Sequence, residues 1–401
     1  MKRMVLAGLM FAGAIMAATA QVTVGGSVDM SVVPFQFGQA YDNDSSFMGA
    51  GIGGILHNNG PRIRLDTRAV NAEHGFGFRV RFEGIANSGT GNPTARVENF
   101  LQAWWSPTEW LRLDAGRFDD DRLRGRVGDD EMSMFSLHMF DHDQIFNRIR
   151  MRNGFMVSST PAEGLLLAVG LRHLVNNDNQ APTGPYLVTT RSRNGDVWRN
   201  IHAAVGYTID GVGLVRAQYI GDMNTAIADR VEVAFALTAV DGMVLDIGGK
   251  VPFAFDIAGG VERQNNFGAS LGVRYDLGGV PLELAARVDA LFGGGDTGAG
   301  FETSAAPVIN AHLWPSFDLD FARLLLNFGV EWIGAETHTA AGTTTTTADG
   351  GLRLGVGLSL QRNLFGNSRV RGGVAYRFAG EVNGVQERGV FTIPLFFEYS
   401  F

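Results

Sequence analysis

Apolar and polar side chains alternate residue by residue in segment after segment of this chain, and no other feature constrains its fold as strongly. Every second residue from Ala322 to Trp332 is apolar, and the residues between them include Arg323 and Glu331. The same period recurs in 62–69 and 352–361. A period of two places successive side chains on opposite faces of a β-strand. The alternation therefore predicts an all-β chain whose strands each have one apolar and one polar face.

The composition shows where such strands can be stable. Hydrophobic residues make up 45% of the 401 residues and charged residues 18%, yet the mean hydropathy is only +0.03. No segment after the N-terminus approaches the roughly 18 consecutive apolar residues of a transmembrane helix. A chain that crosses a membrane with strands must close them into a barrel, because lipid offers no partners to an open backbone edge. The absence of Cys excludes a disulfide framework and a lipoprotein anchor.

The N-terminus has the features of an export signal. Lys2 and Arg3 precede an apolar stretch, Met4–Ala17, and Ala18-Thr19-Ala20 matches the small-x-small cleavage pattern. Residues 1–20 are therefore predicted to be a signal peptide cleaved after Ala20, with a short anchor helix as the alternative. Residues 21–401 are then predicted to form one exported barrel domain.

The alternating segments number about eighteen, or sixteen if one weak pair has been divided. They begin near residues 21, 60, 75, 95, 110, 147, 164, 199, 212, 229, 243, 266, 281, 306, 321, 351, 368 and 389. Every second connection is short, as at 71–74 and 210–211, whereas the connections between them are mostly long and polar, as at 119–146 and 174–198. Short periplasmic turns that alternate with long external loops are typical of outer-membrane barrels.

The aromatic residues and the C-terminus carry a resemblance to a known family. Aromatic residues lie near both ends of the predicted strands: Trp104, Trp105, Trp110, Phe155, Tyr207, Tyr275, Trp314 and Tyr399 at one end, and Trp198, Tyr219, Phe267, Trp332 and Tyr376 at the other. The last strand alternates up to Phe401. This layout resembles the bacterial outer-membrane β-barrel porins. The resemblance implies outer-membrane lipid as surroundings and recognition of the C-terminal Phe401 by the barrel-assembly machinery. It leaves open whether the chain forms a homotrimer.

The polar phase of the strands, assigned to the barrel interior, is rich in arginine. Only Lys2 and Lys250 among the 33 basic residues are lysines. The predicted pore-lining residues are Arg62, Arg64, Arg79, Arg81, Arg112, Arg148, Arg150, Arg152, Arg323, Arg353, Arg369 and Arg371. Arg68, Arg216 and Arg287 share this phase. Since the whole chain has a net charge of −8, the acidic excess is expected in the loops.

The third predicted external loop, 119–146, is the longest segment without strand character. Its acidic residues are Asp119, Asp120, Asp121, Asp129, Asp130, Glu131, Asp141 and Asp143. In porins the third external loop typically folds into the barrel, so the resemblance implies that 119–146 narrows the pore. Its carboxylates could face the Arg rows and create a transverse field that sets ion preference. Alternatively, acids and arginines pair to brace the wall, and pore width governs passage.

The predicted function is passive diffusion of small hydrophilic solutes, anionic ones included, through an Arg-rich aqueous pore. Two alternatives remain: a substrate-specific channel for sugars or hydrophobic compounds, and a surface adhesin or structural barrel. A sugar channel would require a track of interior aromatics, and the inner phase offers only Phe100, Trp104, Trp314 and Phe396. No catalytic residue, metal ligand, cofactor or nucleic-acid partner is predicted.

Overall fold

A computed structural model of the chain describes residues 21–37, 62–86, 93–120, 122–123, 149–172, 201–221, 229–253, 267–292, 295–296, 301–304, 307–340, 343–348, 350–382, 385–387 and 389–401. The predicted signal peptide, 1–20, lies outside the described residues. No helix in the described ranges is long and apolar enough to cross a membrane.

Eighteen strands of the described chain form a single antiparallel sheet. In chain order they are β1 Gln21–Phe37, β2 Arg62–Asn71, β3 Phe76–Ala86, β4 Pro93–Thr108, β5 Leu111–Asp120, β6 Ile149–Ala162, β7 Leu165–Arg172, β8 Ile201–Ile209, β9 Gly213–Ile220, β10 Asp229–Leu237, β11 Met243–Phe253, β12 Phe267–Asp276, β13 Leu282–Phe292, β14 Val308–Leu313 continued by Ser316–Asp318, β15 Arg323–Ile333, β16 Gly351–Asn363, β17 Ser368–Arg377 and β18 Val390–Ser400.

The sheet closes on itself. Each strand pairs with its neighbour in the chain, and β18 pairs with β1, with Ser400 opposite Ser27. Beyond this register Gly26 and Phe401 exchange two backbone N–H···O=C bonds of 2.9 Å. Closure removes both free edges, which satisfies the backbone of the first and last strands. The predicted closed barrel of eighteen strands is confirmed.

The connections sort by length between the two ends of the barrel. Eight short turns join β2 to β3, β4 to β5 and so on up to β16 and β17, and the described termini lie at this same end. Gly75 and Gly164 occupy two of these turns with φ of 67° and 74°. Residues with a side chain rarely adopt this left-handed conformation, so glycine suits these tight turns. The longer connections all lie at the opposite end.

The alternation in sequence becomes an apolar outer surface and a polar inner surface. Val215, Val233 and Ile247 are exposed on the outside, whereas the residues adjacent to them in sequence, Arg216, Glu232 and Asp246, are buried inside. A period-two pattern on strands that all have the same face outward requires this segregation. The outer surface is thus suited to lipid and the inner surface to water.

Two small additions extend the barrel at its long-loop end. Segments 295–296, 301–304, 336–340 and 343–348 form a separate four-stranded sheet, which joins the connections that follow β13 and β15. Gly380–Val382 and Val385–Glu387 form a short hairpin between β17 and β18, and Val382 pairs with Gly351 at the start of β16.

Candidate pore lining

The inner wall places arginine and acid side chains side by side on neighbouring strands. Asp66 on β2 accepts hydrogen bonds from two guanidinium groups on β3: Arg79 Nη2 at 2.5 Å and Arg81 Nη2 at 2.7 Å. Asp66 lies directly opposite Arg81 in the register of β2 and β3. One carboxylate is therefore shared by two guanidinium groups.

Other wall arginines are paired more evenly. Arg353 Nη1 donates to Glu331 Oε2 at 2.7 Å across β15 and β16, where the two residues are opposite each other. Arg323 Nη2 reaches Glu283 Oε1 at 2.8 Å, two strands away. Similar pairs join Arg112 to Asp114, Arg287 to Asp289 and Arg369 to Glu398. Among the described side chains, ion pairs along the wall are the prevailing arrangement, which favours the bracing interpretation.

A buried polar network crosses β8 to β11. Arg216 on β9 forms an ion pair with Asp246 on β11, passing over the small side chains Ala234 and Ala236 of β10. In the same region Gln218 donates to Glu232 on β10, and His202 Nε2 on β8 lies 3.1 Å from Gln218 Oε1. Sequence analysis did not single out His202 or Gln218. The sequence signal for these two residues was their position on the inward-facing phase of strands that are rich in ionisable residues.

A tryptophan lies flat against the inner wall near the short-turn end. Trp104 on β4 is opposite Gly77 on β3, and a Cβ added at Gly77 would lie 2.1 Å from Trp104 Cζ2. The glycine therefore provides the space in which the indole packs. The guanidinium carbons of Arg68 and Arg112 lie 5.3 Å and 4.8 Å from the ring centroid, within the range of cation–π attraction.

A cavity of about 490 Å³ opens beside this tryptophan inside the barrel. Four arginines, Arg68, Arg79, Arg112 and Arg122, contribute to its lining together with Trp104. The lining also includes Asp66, Asp114, Asp119 and Asp120. The cavity is lined by charges of both signs and by the apolar side chains of Phe118 and Met156.

The chain turns inward where β5 ends. Phe118 and Leu123 are buried in an apolar cluster with Met151 and Met156 of β6 and with Leu166, Ala168 and Ala204 of β7 and β8. Leu123 lies against Gly206 on β8, three strands away from the strand it follows. A β-bulge at this point, where Arg152 and Asn153 of β6 oppose one residue of β5 between Gly116 and Phe118, shifts the phase of β6.

Arg122 is fixed at this inward turn. Its Nη2 donates to Asp120 Oδ2 at 2.6 Å, and its Nε donates to both oxygens of that carboxylate at 3.0 Å. Burial lowers the pKa of the Arg122 guanidinium, but the hydrogen bonds to Asp120 and the charges of Asp120 and Asp114 outweigh this effect and raise it. Arg122 also lines a second concavity that includes Thr160, Glu163 and Leu166 at the turn between β6 and β7.

Solved structures share this architecture. OccK2 of Pseudomonas aeruginosa superposes with a TM-score of 0.57 at 13% identity, over 96% of this chain and 98% of that chain. OccD3 of Pseudomonas aeruginosa also gives 0.57, at 11% identity, over 95% and 91%. A loop-deletion mutant of OmpT, an outer membrane protein of Vibrio cholerae, gives 0.50 at 9% identity, over 96% and 100%.

This chain shares the closed β-barrel fold of these structures. No protein-family model matches the sequence, and no curated protein is similar to it by sequence.

The barrel brings most of the described predicted arginines to its inner wall: Arg64, Arg79, Arg81, Arg112, Arg323, Arg353, Arg369 and Arg371. The strand positions of Arg62, Arg150 and Arg152 are described without their side chains, and Arg148 lies outside the described residues. Met151, between Arg150 and Arg152, is fully buried. The inward placement of those two arginines stays a prediction.

Of the predicted constriction residues, Asp119 and Asp120 are described and both line the 490 Å³ cavity. Asp121, Asp129, Asp130, Glu131, Asp141 and Asp143 lie outside the described residues. Sequence analysis missed Arg122, which directly follows Asp119, Asp120 and Asp121 in the sequence and pairs with Asp120.

The aromatic residues near the two ends of the barrel divide between its outer and inner surfaces. Trp105, Trp110 and Tyr207 are exposed on the outer surface near the short turns, and Phe267 and Trp332 are exposed toward the other end. Trp104 and Trp314, however, are buried on the inner side, where their phase was expected to place them, and so do not belong to the lipid-facing belt. Their phase on the strands places them inside, and the space over Gly77 and beside Ala285 accommodates them there.

Proposed function

We propose that the chain is an outer-membrane porin through which small hydrophilic solutes diffuse passively. The observation that carries this proposal is the closed eighteen-strand barrel with an exposed apolar exterior and a charged interior. The apolar exterior favours lipid, and a barrel of this strand number encloses an aqueous lumen. The barrel fold that the chain shares with an outer membrane protein of Vibrio cholerae agrees with this function.

Anionic solutes are the preferred cargo in this proposal. The strands β2 and β3 carry five arginines against two acids, Asp66 and Glu83, which is a formal excess of positive charge. Most other described wall charges are paired, so we expect a moderate rather than strict preference for anions. The pairing supports a wall that is braced by its charges, with pore width as the main determinant of passage.

Pore width is proposed to be set by the segment 119–146. Its first described residues support this assignment, because Leu123 packs on β8 at Gly206 inside the barrel and Asp120 holds Arg122 at the inward turn. Residues that pack on the inner faces of β6, β7 and β8 take up part of the lumen beside this wall and reduce its open cross-section.

Export, assembly and oligomeric state belong to the same proposal. We propose that residues 1–20 are removed after Ala20 and that Phe401 directs the chain to the barrel-assembly machinery. In the barrel the backbone of Phe401 closes on Gly26, so the C-terminal residue also completes the seam. Association into a homotrimer is a further expectation for a barrel of this kind.

A liposome-swelling assay tests the porin proposal. Vesicles that contain the folded residues 21–401 are predicted to swell in isotonic solutions of small sugars and amino acids, at rates that fall with solute size. Heat-unfolded protein in matched vesicles is the control for leakage. Folded barrels whose vesicles swell no faster than this control would favour a structural or adhesive role.

A further inference from the structure

The four arginines that line the 490 Å³ cavity differ in their partners. Arg79 is paired with Asp66, Arg112 with Asp114 and Arg122 with Asp120. Arg68 is exposed and has no carboxylate partner among the described residues. Three of the cations are therefore compensated locally, and the charge of the fourth is available to a solute.

Arg68 is positioned by an aromatic surface rather than by an acid. Its guanidinium lies 5.3 Å from the centroid of Trp104, which is itself held over Gly77. Asp114, almost fully buried, accepts hydrogen bonds from Arg112 and Gln102, and Arg112 also lies near the indole, 4.8 Å from its centroid. Stacking on an aromatic ring orients a guanidinium but leaves its N–H donors free.

A second hydrogen-bond donor lies beside this cation. Thr23 on β1 is directly opposite Arg68 on β2, and both line the cavity. Gly25, next on the same face of β1, adds no side chain to the space. A guanidinium fork and a hydroxyl on adjacent strands match an oxyanion that needs several donors.

We propose that Arg68 and Thr23 form a binding site for a single oxyanion group, a carboxylate or a phosphate monoester, on a small solute in transit. Trp104 is the positioning residue of this site. The cavity volume falls in the range of small-molecule sites. The inference rests on the proposed function, because the solute must reach the cavity through the lumen.

Benzoate, phenyl phosphate and neutral benzamide serve as probes that share a ring and differ in charge. The folded residues 21–401 are placed in planar bilayers, and the ionic current is measured against probe concentration. Both anions are expected to reduce the current saturably, whereas benzamide does not. Arg68→Gln should raise the half-blocking concentration of the anions about tenfold, since it removes a charge-assisted hydrogen bond. The anion with the larger loss identifies the preferred oxyanion.

Two further variants separate this site from a general charge effect. Arg369 also lies over an aromatic ring, that of Phe396, but is neutralised by Glu398. The double variant Arg369→Gln, Glu398→Gln is therefore the matched control and should leave the half-blocking concentration unchanged. Trp104→Leu should weaken benzoate binding without adding any effect of benzamide, because Arg68 loses its stacking surface.

Equal effects of Arg68→Gln and of the control variant on benzoate would overturn the site, as would equal block by benzoate and benzamide. Folding of every variant is checked by the heat-dependent gel mobility of the barrel. If the protein carries no current at all, the porin proposal fails, and calorimetric titration of the detergent-solubilised chain with benzoate still tests the site. Binding that is lost in Arg68→Gln supports the inference, and absence of binding in the native chain overturns it.

Discussion

Leu123 packs against Gly206 inside the barrel, and a Cβ added at Gly206 would lie only 2.3 Å from Leu123 Cδ2. The two residues belong to the segment after β5 and to β8, so this contact joins the start of the longest acidic connection to a distant part of the wall. Because Leu123 is almost fully buried there, the contact is an apolar anchor for the inward turn.

Leu123→Ala is expected to loosen this anchor. Removal of a buried leucine side chain costs about 2–5 kcal/mol where the site cannot collapse, so the segment should leave the wall more often. Single-channel recordings should then show a larger or noisier open current. Leu364→Ala, at an exposed turn between β16 and β17, is the control and should leave the current unchanged. A quiet, native current in Leu123→Ala would show that the anchor does not narrow the pore.

Arg216→Gln should destabilise the barrel. The variant removes the guanidinium that pairs with Asp246. The side chain of Arg216 is 1% exposed and that of Asp246 is 10% exposed. Breaking a buried pair on one side costs about 3–5 kcal/mol, so the urea midpoint of unfolding should fall clearly. The pair Arg369–Glu398 is 36% and 26% exposed, and Arg369→Gln should cost about 1 kcal/mol or less. Equal losses in the two variants would contradict the account of burial.

Because Arg79 and Arg81 share the carboxylate of Asp66, we predict that the single and double arginine variants differ in ion selectivity. Arg79→Ala alone leaves Arg81 to neutralise Asp66, so the reversal potential in a KCl gradient should move only slightly toward cations. The double variant Arg79→Ala, Arg81→Ala exposes the carboxylate and should shift the reversal potential much further. Two equal, additive shifts would indicate instead that each arginine acts through the field of the whole pore.

Gly77→Ala should displace Trp104 from the wall, because the new Cβ would overlap the indole. The near-UV circular dichroism of the tryptophans and their fluorescence should change. Gly357→Ala is the control, since its nearest neighbour would be 3.6 Å away, an ordinary contact on the same inner surface. An unchanged tryptophan spectrum in Gly77→Ala would mean that the indole is not held over the glycine.

The barrel itself was predictable from sequence because its signal is repeated. Period-two alternation in each strand and alternating short and long connections both depend on local residue order, and they predict the strand number and topology that the structure confirms. Even Trp314, buried beside Ala285, is on the phase that predicts an inner position. The position of a residue in the alternation therefore predicts whether it faces inward or outward better than its distance from the end of the barrel does.

The details of the pore lining depend on register and on distant neighbours, which alternation does not contain. Arg216 and Asp246 are 30 residues apart in sequence, and their pairing requires the small side chains of β10 between them. The β-bulge between β5 and β6 shifts the phase of β6, so the inward position of Met151 could not be read from the alternation. A glycine at position 206 gives no sequence sign that a leucine lies over it.

The central claim, that the barrel is a water-filled pore, is tested most directly by single-channel current in planar bilayers. Folded residues 21–401 are predicted to insert with discrete steps of current that rise in proportion to the salt concentration and show at most a moderate preference for anions. Folded barrels that insert, with their closed structure verified by heat-dependent gel mobility, but pass no current would contradict it.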